Sequence, residues 1–517
     1  MRKYPIGIQD FRELRAGGFV YVDKTEFVYQ LINYGKHYFL SRPRRFGKSL
    51  LLSTIKYLFQ GEKDLFEGLW IENRHDWVEH PVIHLSFSSI GYKDVGLEKA
   101  LHFELAKQAS RYQIKLPQEG LGRKFRFLLE TLSRKKGRVV LLIDEYDKPL
   151  VDYIDQLEQA ETNRSILKSF FSVLKDADAY LRLFLITGVS KFSKVSLFSD
   201  LNNLEDLTLA SYTSTLTGYT QQELNTHFAE EIRELAELEG LSLEKTKEKI
   251  RLWYNGYSWG GEKVYNPFSM LSFLKQKKFR NFWWETGTPT FLIKLLRNEF
   301  SFDLEEIELG TELFESYTLE NMDARSLMFQ TGYLTITHED EELGLYILDY
   351  PNKEVRDAMH RHLLGAYRHK SRLDSQALFV KIKRSLEAID LSAFVSVVNS
   401  LFSEIPHQLF IAKREAFFHA LLHLALRGAG MFVQSEVSIA GGRLDTILQT
   451  TDHIFIMEFK LDGQVKDALQ QIRDNRYGSP YLESGKEVIA VGINFDSDQR
   501  QVADWQAISY PELLAEF

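Results

Sequence analysis

The sequence predicts an α/β protein whose N-terminal part is a doubly wound parallel sheet. Two apolar stretches carry this prediction. Tyr38–Leu40 leads into a basic loop with a glycine and then into a helix, and Val139–Ile143 ends at two carboxylates. Amphipathic helices alternate with further apolar strands at Pro81–Phe87 and Leu181–Ser190. Such alternation is typical of parallel sheets covered by helices on both faces.

The loop after the first strand ends like a phosphate-binding loop. Gly47–Ser49 matches the end of the pattern G-x-x-x-x-G-K-[ST], in which backbone N–H groups surround phosphate oxygens, the lysine contacts the terminal phosphates and the hydroxyl binds Mg²⁺. Arg42 stands where the pattern has its first glycine, and Pro43 stiffens the next position. We expect Arg42, Arg44 and Arg45 to crowd positive charge around a triphosphate in compensation. A basic strand-to-helix turn that binds nothing is the alternative.

Two further strands end in polar residues suited to ATP hydrolysis. Asp144 would hold Mg²⁺ together with Ser49, and Glu145 would orient or deprotonate the attacking water. Thr187, near the end of the following strand, would lie beside the γ-phosphate. The alternative for Asp144 and Glu145 is that they only terminate the strand. The alternative for Thr187 is that it is only a polar residue at the end of its strand.

Four segments together resemble the AAA-like ATPase family of bacteria, whose members commonly carry a PD-(D/E)xK nuclease-like domain at the C-terminus. The resemblance covers nearly the whole chain and implies ATP and Mg²⁺ as cofactors. It also implies that residues 1–25 pack near the base and ribose and that Thr187 is the sensor residue. The segments are Arg42–Ser49, Asp144–Pro149, Trp253–Tyr257 and Val264–Ser269.

These motifs together define a predicted ATP site. Its cofactor-binding residues are Arg44, Arg45, Phe46, Gly47, Lys48, Ser49, Leu50, Asp144 and Thr187. Glu145 is the predicted catalytic residue. Ser49 and Asp144 are the predicted metal ligands.

A length of 517 residues suggests several domains. We expect a P-loop AAA-like ATPase core over residues 1–215, a helical lid over 216–300, a mostly helical connector over 301–405 and a PD-(D/E)xK-like α/β domain over 406–517. Alternating apolar residues predict a small hairpin from Tyr333–Thr337 and Leu345–Leu348. A helix is also predicted over Phe291–Phe300.

In the C-terminal part, the predicted order of helix, strands, helix and strand matches the PD-(D/E)xK core, with Val488–Asn494 as the final strand. Asp445, Glu458 and Lys460 map onto its D…E-x-K signature. Two carboxylates that face each other across a hairpin can hold Mg²⁺, or Mn²⁺, with water and a scissile phosphate. Lys460 lies two residues beyond Glu458 and shares its strand face, so its ammonium would stabilise the charge on the reacting phosphate or activate the water.

Accessory residues are expected around this trio. Glu415, on the preceding helix, and Glu436 would complete the metal shell. Gln471 and Tyr477, placed on the helix before the last strand, resemble a motif that orients the site in several nuclease branches. E-x-K is common in a charged chain, so an exposed Glu–Lys pair on a strand is the structural alternative.

Composition narrows the partners and the compartment. A net charge of -8 gives no overall attraction to polyanions, so nucleic-acid binding needs a local basic surface. The chain has no cysteine, which excludes disulfides, thiolate metal sites and cysteine nucleophiles and is compatible with a reducing cytosol. Its apolar runs are too short for a membrane span, so we expect a cytoplasmic protein that does not contact membranes. The sequence leaves open whether the protein forms a homo-oligomer.

The leading interpretation is an ATP-gated nuclease. ATP binding and hydrolysis in the N-terminal domain would control metal-dependent cleavage of nucleic acid, with DNA favoured over RNA. The alternative is an ATPase switch whose nuclease-like domain only binds nucleic acid or a protein partner. The spatial relation of Asp445, Glu458 and Lys460 discriminates between the two.

Overall fold

A computed structural model describes most of the chain. The described residues are 2–118, 120–190, 203–283, 307–310, 323–368, 372–405, 415–439 and 442–515. The chain divides into two compact units, Met1–Phe291 with Leu304–Val355 and Leu292–Asp303 with Arg356–Phe517. The finer four-part division stays a prediction, and the helix predicted over Phe291–Phe300 lies outside the described residues.

The first unit is built on a parallel sheet of five strands in the order β2-β3-β4-β1-β5. The strands are β1 (His37–Ser41), β2 (Val82–Ser86), β3 (Val139–Asp144), β4 (Leu181–Gly188) and β5 (Glu205–Asp206). Both β1 and β3 are buried along their whole length, which explains why they read as continuous apolar runs. The predicted α/β sheet is confirmed.

Helices cover this sheet. They are α1 (Phe11–Ala16), α2 (Thr25–Tyr34), α3 (Lys48–Phe59), α4 (Tyr92–Val95), α5 (Leu97–Arg111), α6 (Leu121–Lys136), α7 (Lys148–Val151) and α8 (Leu157–Phe171). In α3, Leu52, Ile55 and Leu58 follow helical spacing and are fully buried. They share one core cluster with Val140 and Leu142 of β3. This packing fixes α3, and with it the loop that precedes it, against the sheet.

A helical segment follows β5. It contains α9 (Gln221–His227), α10 (Ala229–Glu239), α11 (Leu243–Tyr254) and α12 (Pro267–Gln276). Thr220 and Glu223 form a reciprocal capping box at the start of α9, which satisfies two otherwise unpaired backbone N–H groups. The described part of the region predicted as a lid therefore contains four helices, joined by an irregular segment over residues 255–266.

A small antiparallel sheet with the order β6-β8-β7 completes the first unit. Its elements are β6 (Ile307–Gly310), α13 (Ala324–Thr331), β7 (Thr335–Asp340) and β8 (Leu345–Asp349). The predicted hairpin is confirmed as β7 and β8, which pair antiparallel. The sequence did not predict β6, a strand of four residues with only one buried side chain.

The chain continues through helices into a second five-stranded sheet. The helices are α14 (Lys353–Arg368), α15 (Arg372–Glu387), α16 (Leu391–Ser403), α17 (Glu415–Gly428), α18 (Val465–Asp474) and α19 (Tyr510–Ala515). The strands are β9 (Phe432–Ile439), β10 (Gly442–Gln449), β11 (His453–Leu461), β12 (Glu487–Asp496) and β13 (Gln501–Ser509). β11 and β12 are parallel, and the other neighbouring pairs are antiparallel. Within the described ranges, no helix combines the length and apolar character needed to cross a bilayer.

One C-terminal expectation is wrong. The sequence predicts Val488–Asn494 as the final strand, but β13 and α19 follow it. β13 lies at the edge of the sheet, and Val502 is its only buried residue, so no apolar alternation marks it in the sequence.

Candidate functional site

The phosphate-binding loop joins β1 to α3. Gly47 precedes the helix with a φ of 85°, a left-handed conformation that a side chain would strain. Arg45 adopts a φ of 69°, and non-glycine residues in this region concentrate at functional sites. Ser49 and Leu50 lie in the first turn of α3, whose free N–H groups and dipole favour an anion at this end of the helix.

The Lys48 ammonium is folded onto its own loop. Its Nζ donates to the carbonyl oxygens of Arg42 at 2.7 Å and of Pro43 at 3.0 Å. Burial lowers the pKa of Lys48, while Asp144 and Glu145 favour its charged form. The ammonium therefore lies between the loop and the carboxylates that end β3, as expected for a lysine that contacts phosphates.

Arg42 faces the protein interior. Its side chain is fully buried, and the guanidinium donates to the carbonyl oxygens of Ser41 at 2.8 Å, Thr208 at 2.9 Å and Thr213 at 3.2 Å. The guanidinium carbon also lies 4.2 Å from the ring centroid of Trp259. Burial lowers the pKa of Arg42 to about 9, so the group is still charged at neutral pH. The prediction that Arg42 adds charge around a triphosphate is wrong, because every guanidinium contact ties the loop to the interior.

The other loop side chains divide between solvent and core. Arg44 and Arg45 are exposed, so they remain the two arginines of the loop that can face phosphate. Phe46 is buried and packs edge-on against Tyr257 and Trp259, with centroids 4.8 Å and 5.3 Å away. Tyr257 ends one of the four segments on which the family resemblance rests, so that segment packs against the phosphate-binding loop.

The carboxylates at the end of β3 lie at the same sheet edge. Asp144 is 3% exposed and accepts a hydrogen bond of 2.7 Å from the Thr187 hydroxyl. Thr187 is on β4, which runs between β1 and β3, and it pairs in register with Leu40. Glu145 has a φ of 53°. Burial and the Asp144 charge raise the pKa of Glu145, while Lys48 opposes the rise.

Asp147 is a site residue that sequence reasoning missed. It is 1% exposed and accepts hydrogen bonds from the backbone N–H groups of Val189 at 2.9 Å and Ser190 at 2.7 Å. The Ser190 hydroxyl donates to the same oxygen at 2.7 Å. Asp147 thus fixes the chain just after Thr187. The sequence does show Asp147 as a third carboxylate after Asp144 and Glu145. It does not show that the hydrogen-bond partners of Asp147 lie just after β4.

An open pocket with an empty volume of about 550 Å³ adjoins the start of α3. Four parts of the first unit line it: the N-terminal segment, the phosphate-binding loop with α3, the segment that precedes α9, and the start of α12. The lining residues are Pro5, Leu14, Val20, Tyr21, Val22, Lys24, Phe46, Gly47, Leu50, Leu51, Thr54, Leu216, Thr217, Gly218, Tyr219 and Pro267.

The lining is mostly apolar with a few polar groups, which is the usual character of a small-molecule site. Thr217 is 4% exposed, and its hydroxyl has no hydrogen-bond partner in the part of the chain that the structure describes. Lys24 is held by Glu223 at 2.6 Å and by the Thr215 carbonyl at 2.8 Å. The pocket therefore adjoins the phosphate-binding loop at Phe46 and Gly47.

A separate constellation lies in the second unit, on the neighbouring strands β10 and β11. The Phe459 N–H donates to an Asp445 carboxylate oxygen at 2.7 Å, and the Asp445 N–H lies 3.5 Å from a Glu458 carboxylate oxygen. Glu458 is 2% exposed. Burial and the Asp445 charge raise the pKa of Glu458 to about 7. A bound cation would favour the charged forms of both carboxylates.

Lys460 links this carboxylate pair to α18. Its Nζ lies 3.4 Å from a Glu458 oxygen and 2.8 Å from the side-chain oxygen of Gln471. The helix α18 packs on β11 and β12, which holds Gln471 over the strands. The structure therefore brings together Asp445, Glu458, Lys460 and Gln471, the four residues predicted for this site.

Two accessory predictions have different outcomes. Glu415 begins α17 close enough to the site that Asp445 raises its pKa and Lys460 lowers it, although burial is the largest cause of the net rise. Tyr477 lies beyond the end of α18, is 1% exposed and belongs to the core cluster of this unit. Its placement on the helix is wrong, and its packing is that of a core residue. The Glu436 side chain lies outside the described residues.

Known protein families match an N-terminal and a C-terminal part of the chain. A family model described as "Predicted AAA-ATPase" matches residues 5–198, and one described as "PD-(D/E)XK nuclease superfamily" matches residues 413–505. The "Uncharacterized protein in vnfD 5'region" of Azotobacter chroococcum mcd 1 is 38% identical over 97% of this chain and 98% of its own length. The chain belongs to the predicted AAA-ATPase family. Its C-terminal domain is of the PD-(D/E)XK nuclease superfamily.

The chain is also similar to a solved structure, that of the Aeropyrum pernix ORC1 protein in complex with DNA. That match has 12% identity and a TM-score of 0.24, and it covers 65% of this chain and 91% of the other. At this level the similarity supports no functional argument.

Two pairs of side chains in this AAA-ATPase family member are suited to a divalent metal ion. Among the described residues, no group of three or more His, Asp or Glu side chains is arranged to hold a metal. The pair Asp445 and Glu458 nevertheless fits Mg²⁺, which commonly takes one or two protein carboxylates and completes its shell with waters and substrate phosphates. Asp144 with Ser49 would serve in the same way at the ATP site.

For the AAA-ATPase site, we expect Lys48→Ala to weaken ATP binding by about tenfold or more, because charge-assisted hydrogen bonds contribute about 1.5–3 kcal/mol each. Calorimetric titration of ATP measures this. Lys63→Ala, which removes an exposed lysine elsewhere in the same unit, is the matched control and should bind like the wild type. Equal affinities of all three proteins would exclude the assigned role of Lys48.

Proposed function

We propose that this protein is an ATP-gated nuclease, in which the first unit binds and hydrolyses ATP and the second unit cleaves nucleic acid with the help of a divalent metal ion. The observation that carries the proposal is the spatial convergence of Asp445, Glu458 and Lys460 on a chain that also has a phosphate-binding loop ending in Gly47–Ser49. A protein that only binds nucleic acid would not need the buried Glu458 beside a second carboxylate and an ammonium group.

In the ATP site, each role follows from position. The N-terminal turn of α3 and Lys48 would bind the phosphates, and Thr187 would hold Asp144 in place through its 2.7 Å hydrogen bond. Glu145 would accept a proton from the attacking water. Its raised pKa suits that task, because a base is most effective when its pKa approaches the working pH. The pocket beside Gly47 would accept the base.

In the nuclease site, Asp445 and Glu458 would hold Mg²⁺ or Mn²⁺. When bound, the ion supplies positive charge to a phosphate oxygen and lowers the pKa of a bound water. Lys460 would stabilise the negative charge that develops on the phosphate as the water oxygen bonds to phosphorus and the sugar oxygen leaves. Gln471 would orient Lys460, since its side-chain oxygen accepts from the ammonium at 2.8 Å. DNA is the favoured substrate of the proposal.

Gating is the part of the proposal that joins the two sites. A nucleotide can change cleavage only if it binds the cleavage-competent arrangement more tightly than the incompetent one. The N-terminal segment and the segment before α9 both line the pocket beside Gly47, so a nucleotide bound there would contact both segments. We expect that change to alter access of nucleic acid to the second unit.

The nuclease assignment is tested with Asp445→Ala and Lys460→Ala. Each should lower the rate of cleavage by about 100-fold or more, while ATP hydrolysis persists. Asp445→Ala removes a ligand of the metal ion, and Lys460→Ala removes the ammonium that stabilises the reacting phosphate. The measurement is cleavage of labelled single- and double-stranded DNA and RNA with Mg²⁺ or Mn²⁺.

Matched controls come from α18, where Lys466→Ala and Asp467→Ala remove the same side chains at exposed positions. They should cleave like the wild type. A wild-type protein that cleaves no substrate with Mn²⁺ would favour the ATPase switch, and cleavage by Asp445→Ala at the wild-type rate would show a contaminant.

Gating is tested with Glu145→Gln, which should retain ATP affinity and hydrolyse ATP slowly. We expect this variant with ATP to cleave at a rate different from that of the same variant without nucleotide, because the ATP-bound arrangement persists. Lys48→Ala should show no response to ATP at all. Identical rates without nucleotide, with ATP and with ADP would leave the nuclease in place and remove the gating.

A further inference from the structure

The end of α6 and the residues after it form a strongly basic surface on the first unit. Residues 121–138 carry seven Lys and Arg and a single carboxylate, Glu130, in a chain whose net charge is -8. Glu130 lies 3.0 Å from Arg126 and 3.8 Å from Arg134. In the part of the chain that the structure describes, no carboxylate lies within ion-pair distance of Lys135, Lys136 or Arg138.

Helix stability alone does not explain this surface. Cations in the last turn of a helix interact favourably with its dipole, which accounts for Lys135 and Lys136. Arg138, however, lies beyond α6, separated from it by Gly137, which has a φ of 88°. It stands at the start of β3, where the helix dipole no longer favours a positive charge.

A second cation lies beside Arg138. Arg182 is at the start of β4, the strand next to β3, and it donates to the Ile32 carbonyl at 2.9 Å. His80 precedes β2, on the other side of β3, and its ring lies 2.9 Å from the Arg138 carbonyl. Neighbouring strands are about 4.8 Å apart. His80, Arg138 and Arg182 therefore form a row across the amino ends of β2, β3 and β4.

The like charges in this row oppose one another. Besides burial, the Arg138 charge lowers the pKa of Arg182, and both arginines lower the pKa of His80. The nearby carboxylate Asp178 is already engaged with Lys36 at 2.8 Å and His37 at 2.9 Å. Concentrated positive charge without a matching carboxylate is stabilised when a polyanion binds.

We propose that this basic edge, defined as Lys135, Lys136, Arg138 and Arg182, binds the phosphodiester backbone of a single nucleic-acid strand. The two lysines that end α6 and the two arginines at the starts of β3 and β4 suit successive phosphates. Phe127, which is 37% exposed, shares a face of α6 with Arg134 and offers a ring on which a base can stack. An acidic protein would match the charge but has no need of that ring.

This surface lies at the amino ends of the strands, whereas the phosphate-binding loop lies at their carboxyl ends. The ATPase unit would therefore contact nucleic acid at a surface that is distinct from the ATP site. The inference goes beyond the proposed function, because it requires neither cleavage nor gating.

The test measures binding of a fluorescent oligothymidylate of about 20 nucleotides by anisotropy over a range of salt concentrations. The protein is the full chain carrying Asp445→Ala, so that cleavage does not interfere. The variant adds Lys135→Glu, Lys136→Glu and Arg138→Glu. Loss of three phosphate contacts should weaken binding by at least about tenfold and reduce the slope of log K against log salt by about 2, since each contact contributes about 0.7.

The matched control replaces three exposed lysines of the same unit, Lys63, Lys115 and Lys278, by glutamate. Its net charge equals that of the test variant, so binding with an unchanged salt slope is expected. ATP hydrolysis without nucleic acid should be the same in both variants, which shows that the unit is folded.

Wild-type binding by the test variant, or equal weakening in both variants, would overturn the proposal. Loss of binding to an acidic polypeptide without loss of binding to oligothymidylate would also overturn it, in favour of a protein partner. The outcome is independent of the nuclease. A chain that never cleaves can still lose oligothymidylate binding through this surface, and a chain that cleaves can retain binding without it.

Discussion

The phosphate-binding loop of this protein depends on one buried cation. Arg42 occupies the position of a pattern glycine, yet its guanidinium points into the core and donates to the carbonyl oxygens of Ser41, Thr208 and Thr213. Its own carbonyl accepts from the Lys48 ammonium. One residue thus connects the core, the residues after β5 and the lysine that contacts phosphate. The Asp206 charge also favours the charged form of Arg42. A buried cation is tolerated only when its hydrogen bonds are made.

In the second unit the charged groups that are brought together are two carboxylates rather than a buried cation. Glu458 and Asp445 are adjacent carboxylates in a buried site, and the pKa of Glu458 rises to about 7 because burial and its neighbour both disfavour the charged form. Lys460 relieves part of that repulsion and is itself held by Gln471. Both sites therefore hold charged groups in arrangements that folding alone does not favour, which is a common property of functional sites.

Much of this could be predicted from the sequence, because local patterns determine it. Continuous apolar runs predicted β1 and β3, and the D…E-x-K spacing predicted which side chains converge on β10 and β11. The direction of Arg42 could not be predicted, since Thr208 and Thr213 are remote in the chain. Asp147 was missed for the same reason. The strand β13 carries too little apolar alternation to be recognised.

The most direct test of this account is calorimetric titration of ATP into Arg42→Gly, which restores the glycine of the common loop pattern. The account predicts that ATP binds more weakly and that the free energy of unfolding falls by about 3 kcal/mol, because three carbonyls lose their donor and the loop loses its anchor. ATP affinity and stability equal to or above those of the wild type would contradict it, since Arg42 would then be only a tolerated replacement for glycine.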